Sequence, residues 1–278
     1  MISVRNSILF VLLLALTFQL QSQEPTKTDS VKIQILMDDA RLNSCGFHDD
    51  LVNSFCSIQD GEIIMLSSGH WFYLLGDEGF YRLAGSNTKS DSVSSFGMTS
   101  SNKLVTVVDD MICTFGERGI LIPIFQLPDV GMELSVSEGV IYAYDKNEDK
   151  DEYSLYAYVE EGEVQITTLE SPINDALGFG DKVYLCSENV VYELDIAERK
   201  AKALCAVDDD ETIVSLAMDS NREVLYFATE DYVCRLVDNK LDMVSLIGGK
   251  LLFDEKGLLV FNVESRFIYR MLYGFLDE

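Results

Sequence analysis

The sequence predicts an all-β fold, a six-bladed β-propeller of four-stranded antiparallel blades over 31–278. Three observations predict it. A short apolar run recurs six times at a nearly fixed period, each copy is followed by a second apolar run, and polar hairpin signals punctuate the series. Helical periodicity is absent after the N-terminal apolar stretch.

The first column reads EIIMLS (62–67), KLVTVV (103–108), GVIYAY (139–144), KVYLCS (182–187), EVLYFA (223–228) and GLLVFN (257–262). The second reads WFYLL (71–75), MICTF (111–115), SLYAY (154–158), VVYEL (190–194), YVCRL (232–236) and FIYRM (267–271). Val, Ile, Tyr and Phe enrichment suits strands, and near-continuous apolar runs suit middle strands packed on both faces. The first-column starts at 62, 103, 139, 182, 223 and 257 lie 34 to 43 residues apart, the period of a four-stranded blade.

Tight polar turns follow the second column: GDEG (76–79), GERG (116–119), EEG (160–162), AERK (197–200) and DNK (238–240). A further strand follows each: FYRLAG, ILIPIFQL, EVQITTL, AKALCAV and LDMVSLI. Pro123 falls in one of these, which the register makes the outermost strand of its blade, where a missing donor is tolerated. Pro128 and Pro172 fall between blades. The last blade has no fourth strand of its own, so VKIQILM (31–37) is expected to supply it and close the ring.

Before that strand, Arg5 and the apolar run Ile8–Leu16 read as a signal peptide over 1–22, with 23–30 a flexible leader. An uncleaved anchor is the alternative, although the run is short of the about 20 residues that span a bilayer. No cysteine near the cleavage region suggests lipidation, and no later stretch is long and apolar enough to span. The expected location is periplasmic or secreted. Removing the leader's single charge, Arg5, takes the net charge from −26 to −27. Such a surface repels phosphate and anionic lipid, which excludes nucleic acid and anionic membrane as partners and leaves solubility or a basic protein partner.

The segment DKVYLCSENVVYELDIAERKAKAL (181–204) resembles the repeats of pyrroloquinoline-quinone-type propellers. Glu193, Glu198 and Arg199 replace that family's small residue and Thr-Gly pair, and no tryptophan closes the repeat. The resemblance implies the fold and carries over no cofactor residue.

Six cysteines invite disulfides. Cys113 and Cys234 fall in opposed blades, and Cys186 and Cys205 on strands separated by a third, both too far apart to bridge. Cys45–Cys56 is the one pair left, and the others read as small buried apolar residues. With only His48 and His70, a three-histidine zinc site is impossible, and no GxSxG, HExxH, CxxC or P-loop is present.

Acidic loops give the remaining direction. Loops joining second to third strands, and loops between blades, should share one face. That face receives Asp109, Asp110, the run 145–152, Glu188, Asp208, Asp209, Asp210, Glu211, Glu230, Asp231 and Glu264. Arg118, Arg199, Lys200 and Lys240 go to the other face. DKNEDKDE (145–152) spaces Asp145, Asn147, Asp149 and Asp151 as calcium loops do, but lacks the glycine and the final glutamate of an EF-hand. A solvated turn is the simpler reading, and Ca2+ or another divalent cation is the only cofactor in view. Glu133, Asn174 and Asp175 stand near the starts of inner strands, where six-bladed lactonases hold an axial ion. The leading expectation is therefore a monomeric, non-catalytic, exported propeller binding a protein partner through its acidic face. The alternative is a metal-dependent hydrolase or lactonase with its site at the axis.

Overall fold

The computed structural model describes residues 26–27, 33–44, 47, 52–57, 62–67, 72–76, 79–82, 93–116, 120–146, 150–159, 162–238, 240–262, 264 and 266–272. Six sheets form the ring, each with four antiparallel strands that make a blade and one with a short fifth strand added at its outer edge. Blade one runs β3 (Val52–Ser57), β4 (Ile63–Ser67), β5 (Phe72–Gly76), β6 (Gly79–Arg82). Blade two runs β7 (Val93–Met98), β8 (Leu104–Val108), β9 (Met111–Phe115), β10 (Leu121–Gln126). Blade three is β11 (Glu133–Ser137), β12 (Val140–Tyr144), β13 (Tyr153–Val159), β14 (Gly162–Leu169), and blade four is β15 (Ile173–Phe179), β16 (Lys182–Ser187), β17 (Val190–Asp195), β18 (Lys200–Ala206). Blade five is β19 (Ser215–Asp219), β20 (Val224–Ala228), β21 (Val233–Val237), β22 (Lys240–Ser245). The inner strands β3, β7, β11, β15, β19 and, from blade six, β23 (Lys250–Asp254) pack side by side around the axis, with β23 returning to β3.

The two repeated columns are the second and third strands. The second strands are the most deeply buried: every residue of β4 and of β24 (Gly257–Asn262) is buried. The cores lie between blades. Tyr184, Cys186 and Cys205 of blade four meet Leu216, Phe227 and Cys234 of blade five, and equivalent clusters fill the other interfaces. A blade buries its apolar faces only against its neighbours, so the ring has to close.

Closure comes as expected. β2 (Ile33–Met37) pairs antiparallel with β25 (Phe267–Leu272) as the fourth strand of blade six, Ile35 opposite Tyr269 and Gln34 opposite Arg270. Met37 is buried with Leu42, from the short helix α1 (Asp39–Ser44), and with Phe47 in the cluster that joins blade six to blade one. Arg266 holds this segment in place: it pairs with Asp39 at 3.2 Å, donates to the Phe47 carbonyl and lies over the Phe47 ring. Thr26–Lys27 (β1), inside the stretch read as a leader, runs parallel to the outer edge of β22. The stretch read as a signal peptide, 1–22, lies outside the described residues.

Pro123 is on the outermost strand of blade two, opposite Cys113 and beside a bulge, as its missing donor requires. Cys186 and Cys205 both stand opposite Val191, one on each side of β17. Cys56, expected to bridge Cys45, is instead a free buried thiol, as are Cys113, Cys186, Cys205 and Cys234. Cys45 lies outside the described residues. Among those residues, no helix is long and apolar enough to cross a membrane.

Candidate functional site

Inner strands present a difficulty that the outer ones do not. Their axial edges have no fifth strand, so their backbone N–H groups need other partners. Side chains from the preceding blade supply them. Leu134 N–H donates to Ser95 Oγ at 2.8 Å, Leu216 N–H to Asp175 Oδ2 at 2.9 Å, and Leu251 N–H to Ser215 Oγ at 3.0 Å. One level lower, Gly178 N–H donates to Ser137 Oγ at 2.7 Å.

The side-chain acceptors of the first set share a register with Glu133 and Lys250. Ser95, Glu133, Asp175, Ser215 and Lys250 each immediately precede a buried or half-buried apolar residue of an inner strand (Phe96, Leu134, Ala176, Leu216, Leu251). They form a polar ring around the axis, one from each of blades two to six. Three of the five stitch the next blade to their own. Two do not. Glu133 turns to Lys146, whose Nζ lies 3.3 Å away, while Ala176 N–H is taken by Asp175's own Oδ1 at 2.8 Å. Lys250 has no lone pair to offer as an ammonium.

These residues line a central cavity of about 370 Å³, with Lys146 and Tyr144 closing over them from the second strand of blade three and the loop after it. Burial pushes the Asp175 carboxyl above its usual range, against the pull of the Leu216 and Ala176 N–H groups, the Ser215 hydroxyl and the Lys250 charge. Burial likewise pulls Lys250 below the usual lysine value, although Glu133 and Asp175 oppose it. Tyr144 is held well above the phenol range by burial and then by Asp175 and Glu133. Glu133, Lys146, Asp175 and Lys250 thus form one electrostatically coupled set of two acids and two bases.

The fit to an axial metal ion is poor. Asp175 spends its oxygens on three hydrogen bonds, the Asn174 amide donates to the Ile213 carbonyl at 3.0 Å, and Glu133 pairs with a lysine. Two lysines, Lys146 and Lys250, line the same cavity. Among the described residues no group of three His, Cys, Asp or Glu is placed to hold a metal. Glu133, Asn174 and Asp175 all line the cavity, in the company of Lys146 and Lys250.

In the 145–152 loop, too, lysine and carboxylate pair. Asp145 is buried and accepts from Ser154 N–H at 3.0 Å and from Lys150, whose ammonium also pairs with Asp129 at 2.7 Å. The hydrogen bond from Lys150 holds Asp129 below the usual carboxylate range. A lysine of the loop itself occupies the cation position, and Asp151 is exposed. Asn147 and Asp149, like His48 and His70, lie outside the described residues.

The acidic turns sit where strand connectivity sends them. Leu127 N–H donates to the Asp110 carbonyl, Ile213 N–H to Glu188, and Gly249 N–H to Thr229, so each second-to-third-strand turn touches the link into the next blade. Asp109, Asp208, Asp209, Asp210, Glu230, Asp231 and Glu264 are exposed on that face. Asp110 is half-buried, and half-buried Glu211 accepts from Tyr232.

Reasoning from sequence found Glu133 and Asp175 but missed Lys250, Lys146 and Tyr144. The signal was available in Lys250, which opens KLLFD one position before the apolar run, the place Glu133 holds in ELSVS.

No family model matches the chain, and no curated protein matches it by sequence. Solved structures do match. Virginiamycin B lyase from Staphylococcus aureus superposes with a TM-score of 0.64 at 10% identity, over 87% of this chain and 99% of that one. A gluconolactonase from Xanthomonas campestris gives 0.63 at 12%, over 90% and 98%. The extracellular domain of a protein assigned as a hybrid two-component system from B. thetaiotaomicron gives 0.58 at 13%, over 84% of this chain and 32% of that one. At such identities the likeness carries the architecture alone: with its six sheets, its closing N-terminal strand and these neighbours, the chain is a six-bladed β-propeller.

Proposed function

We propose that the chain is an exported hydrolase of small esters or lactones, with its site in the axial channel. This reading stands ahead of a non-catalytic scaffold working through the acidic face. The observation that carries it is the polar ring, in which Glu133 turns from the stitching that Ser95, Asp175 and Ser215 perform and pairs with Lys146 instead. This carboxylate–ammonium pair lines the axial cavity. The lyase and the gluconolactonase among the similar structures are propeller enzymes and support looking at the axis, while bringing no residue with them.

The chemistry uses the chain's own side chains. The Glu133 carboxylate takes a proton from water as the water oxygen attacks the substrate carbonyl carbon. The displaced electron pair moves to the carbonyl oxygen, where the Lys146 ammonium stabilises it. Collapse expels the alkoxide, which recovers the proton from Glu133.

The test is a panel of esters and lactones assayed in the presence of a chelator. Turnover is expected to survive the chelator, and Glu133→Gln to lose about 10²–10⁴-fold in rate while keeping its melting temperature. Activity abolished by the chelator, or Glu133→Gln as fast as the parent, would overturn the mechanism. No turnover of any ester or lactone would overturn the hydrolase reading. Export rests on the apolar run Ile8–Leu16 after Arg5. A C-terminally tagged chain is expected in the periplasmic or culture-medium fraction; recovery from the cytosol alone would remove that part.

A further inference from the structure

We infer that the axial channel takes small amphipathic carbonyl compounds, of the kind of a lactone bearing an unbranched aliphatic tail, and rejects polyhydroxylated ones. The inference rests on the proposed function for the place of the carbonyl, at Glu133 and Lys146, and adds what the rest of the channel fits.

The wall changes character along the axis. At one level is the polar ring, where Glu133, Asp175 and Lys250 line the cavity with Lys146. Two residues further along the same strands come Gly97, Ser135, Leu177, Ala217 and Leu252, and all five line it too. Two residues further again, blade four contributes Phe179. Leu177 and Phe179 pack against the core between blades four and five, and Leu252 against the core that joins blade six to blade one. Each is only half-buried and keeps surface on the channel. Between the ring and Glu138, which accepts from Gly180 N–H at the far mouth, the lining holds no carboxylate, ammonium or guanidinium group. Two hydroxyls of this stretch already bond backbone: Ser135 donates to the Ala176 carbonyl, and Ser137 Oγ accepts from Gly178 N–H at 2.7 Å.

This stratification sorts ligands. A hydroxyl beside Leu177, Ala217 and Leu252 would give up water without a side-chain partner, whereas a methylene there leaves water at a gain. A polyhydroxylated lactone carries several such hydroxyls, and an aliphatic tail carries none. Asp175 to Phe179 spans about 13 Å of strand, so a tail of several methylenes lies along it. A cavity of about 370 Å³ is at the small end for ligand sites, which suits one unbranched chain.

The experiment has a binding arm and a turnover arm, both on the full chain. Titration calorimetry uses the inert ketones 2-butanone, 2-hexanone and 2-octanone, with sorbitol as the polyol. Affinity is expected to rise about three- to fourfold per methylene, and sorbitol not to bind. Turnover compares γ-octalactone with γ-butyrolactone and glucono-δ-lactone, and kcat/KM for the first is expected to exceed the others about tenfold or more. Leu252→Asn should flatten the ketone series and Leu252→Met should keep it. Leu177→Asn asks the same of blade four, and circular dichroism separates lost binding from lost fold. Ketone affinity independent of length, binding of sorbitol, glucono-δ-lactone as the better substrate, or an unchanged series in both folded Asn variants would overturn the inference. Length-dependent ketone binding in a chain that hydrolyses no lactone would sustain it while removing the hydrolase reading; hydrolysis indifferent to tail length would do the reverse.

Discussion

Asp175 shows how one residue can look catalytic in sequence and do structural work in the fold. Its carboxylate accepts from Leu216 N–H of the next blade, Ser215 Oγ and Ala176 N–H, while burial raises its pKa. The sign of the pH effect follows. With the folded value above the unfolded one, the native state binds the proton more tightly, so this group's contribution is fully present below the unfolded value. It is lost as pH rises through the folded value. Asp175→Asn should remove that slope and add a pH-independent cost of about 1–3 kcal/mol for the disturbed hydrogen bonds. Urea unfolding of both forms at several pH values between 4 and 7 measures it; a constant difference between them would mean the carboxyl is not desolvated. The cysteines make a second test at this scale. Burial pushes the thiols of Cys56, Cys205 and Cys234 up to about 12, so they should react with a thiol reagent only after unfolding. Fast reaction of these three in the native protein would show that the blade interfaces open readily. What the sequence hid here was direction: it placed Glu133 and Asp175 at strand starts but could not say that one faces a lysine and the other a backbone amide.

Among the elements, the middle strands were legible and the inner strands were not, for one physical reason. Middle strands are buried on both faces and read as unbroken apolar runs, as in KVYLCS and GLLVFN. Inner strands pack on their neighbours while their axial edge faces a channel, so they mix Ser, Glu, Asp, Lys and Gly with apolar residues and lose the pattern. The link between blades five and six shows how closely these edges approach. Gly249 has φ +130°, a conformation L side chains rarely adopt, and a Cβ there would collide with the Phe261 carbonyl. Gly248 is enclosed by the backbone at Thr229 and Tyr232. Close approach at Gly249 is what sets Lys250, the next residue, into the channel wall. Gly249→Ala should therefore cost about 2–4 kcal/mol, from positive φ and from overpacking against a backbone that cannot retreat. Thermal denaturation measures it. A melting temperature within a degree of the parent would show that the turn can move.

For the whole molecule, closure decides whether six weak units become one stable body. Each interface cluster draws residues from two blades, so an open chain would leave a first and a last face uncovered. The sequence showed that blade six lacked an outer strand and that VKIQILM lacked a blade, which made the closing strand readable. It did not show that the closing segment also carries Leu42 and Phe47 into the join, or that Arg266 grips it through Asp39 and the Phe47 carbonyl and ring. Removing the chain through residue 44 would uncover the β25 edge, where Ile268, Tyr269, Arg270 and Met271 now pair with β2, and would withdraw Met37 and Leu42 from a core in which each is at most 1% exposed. Losing one such side chain costs about 2–5 kcal/mol, and an unpaired edge invites pairing with another chain. The truncated protein is therefore expected to melt well below the parent and to form oligomers in size-exclusion chromatography with light scattering. A synthetic peptide of residues 31–44, added in trans, should return it to a monomer-sized particle and raise its melting temperature in proportion to the logarithm of peptide concentration. A truncated chain that stays monomeric with the parent's melting temperature would mean that the blade-one and blade-six inner strands hold the ring without the closing strand. In that case the stability of this propeller would reside in the axial stitching of Ser95, Asp175 and Ser215 more than in its closure.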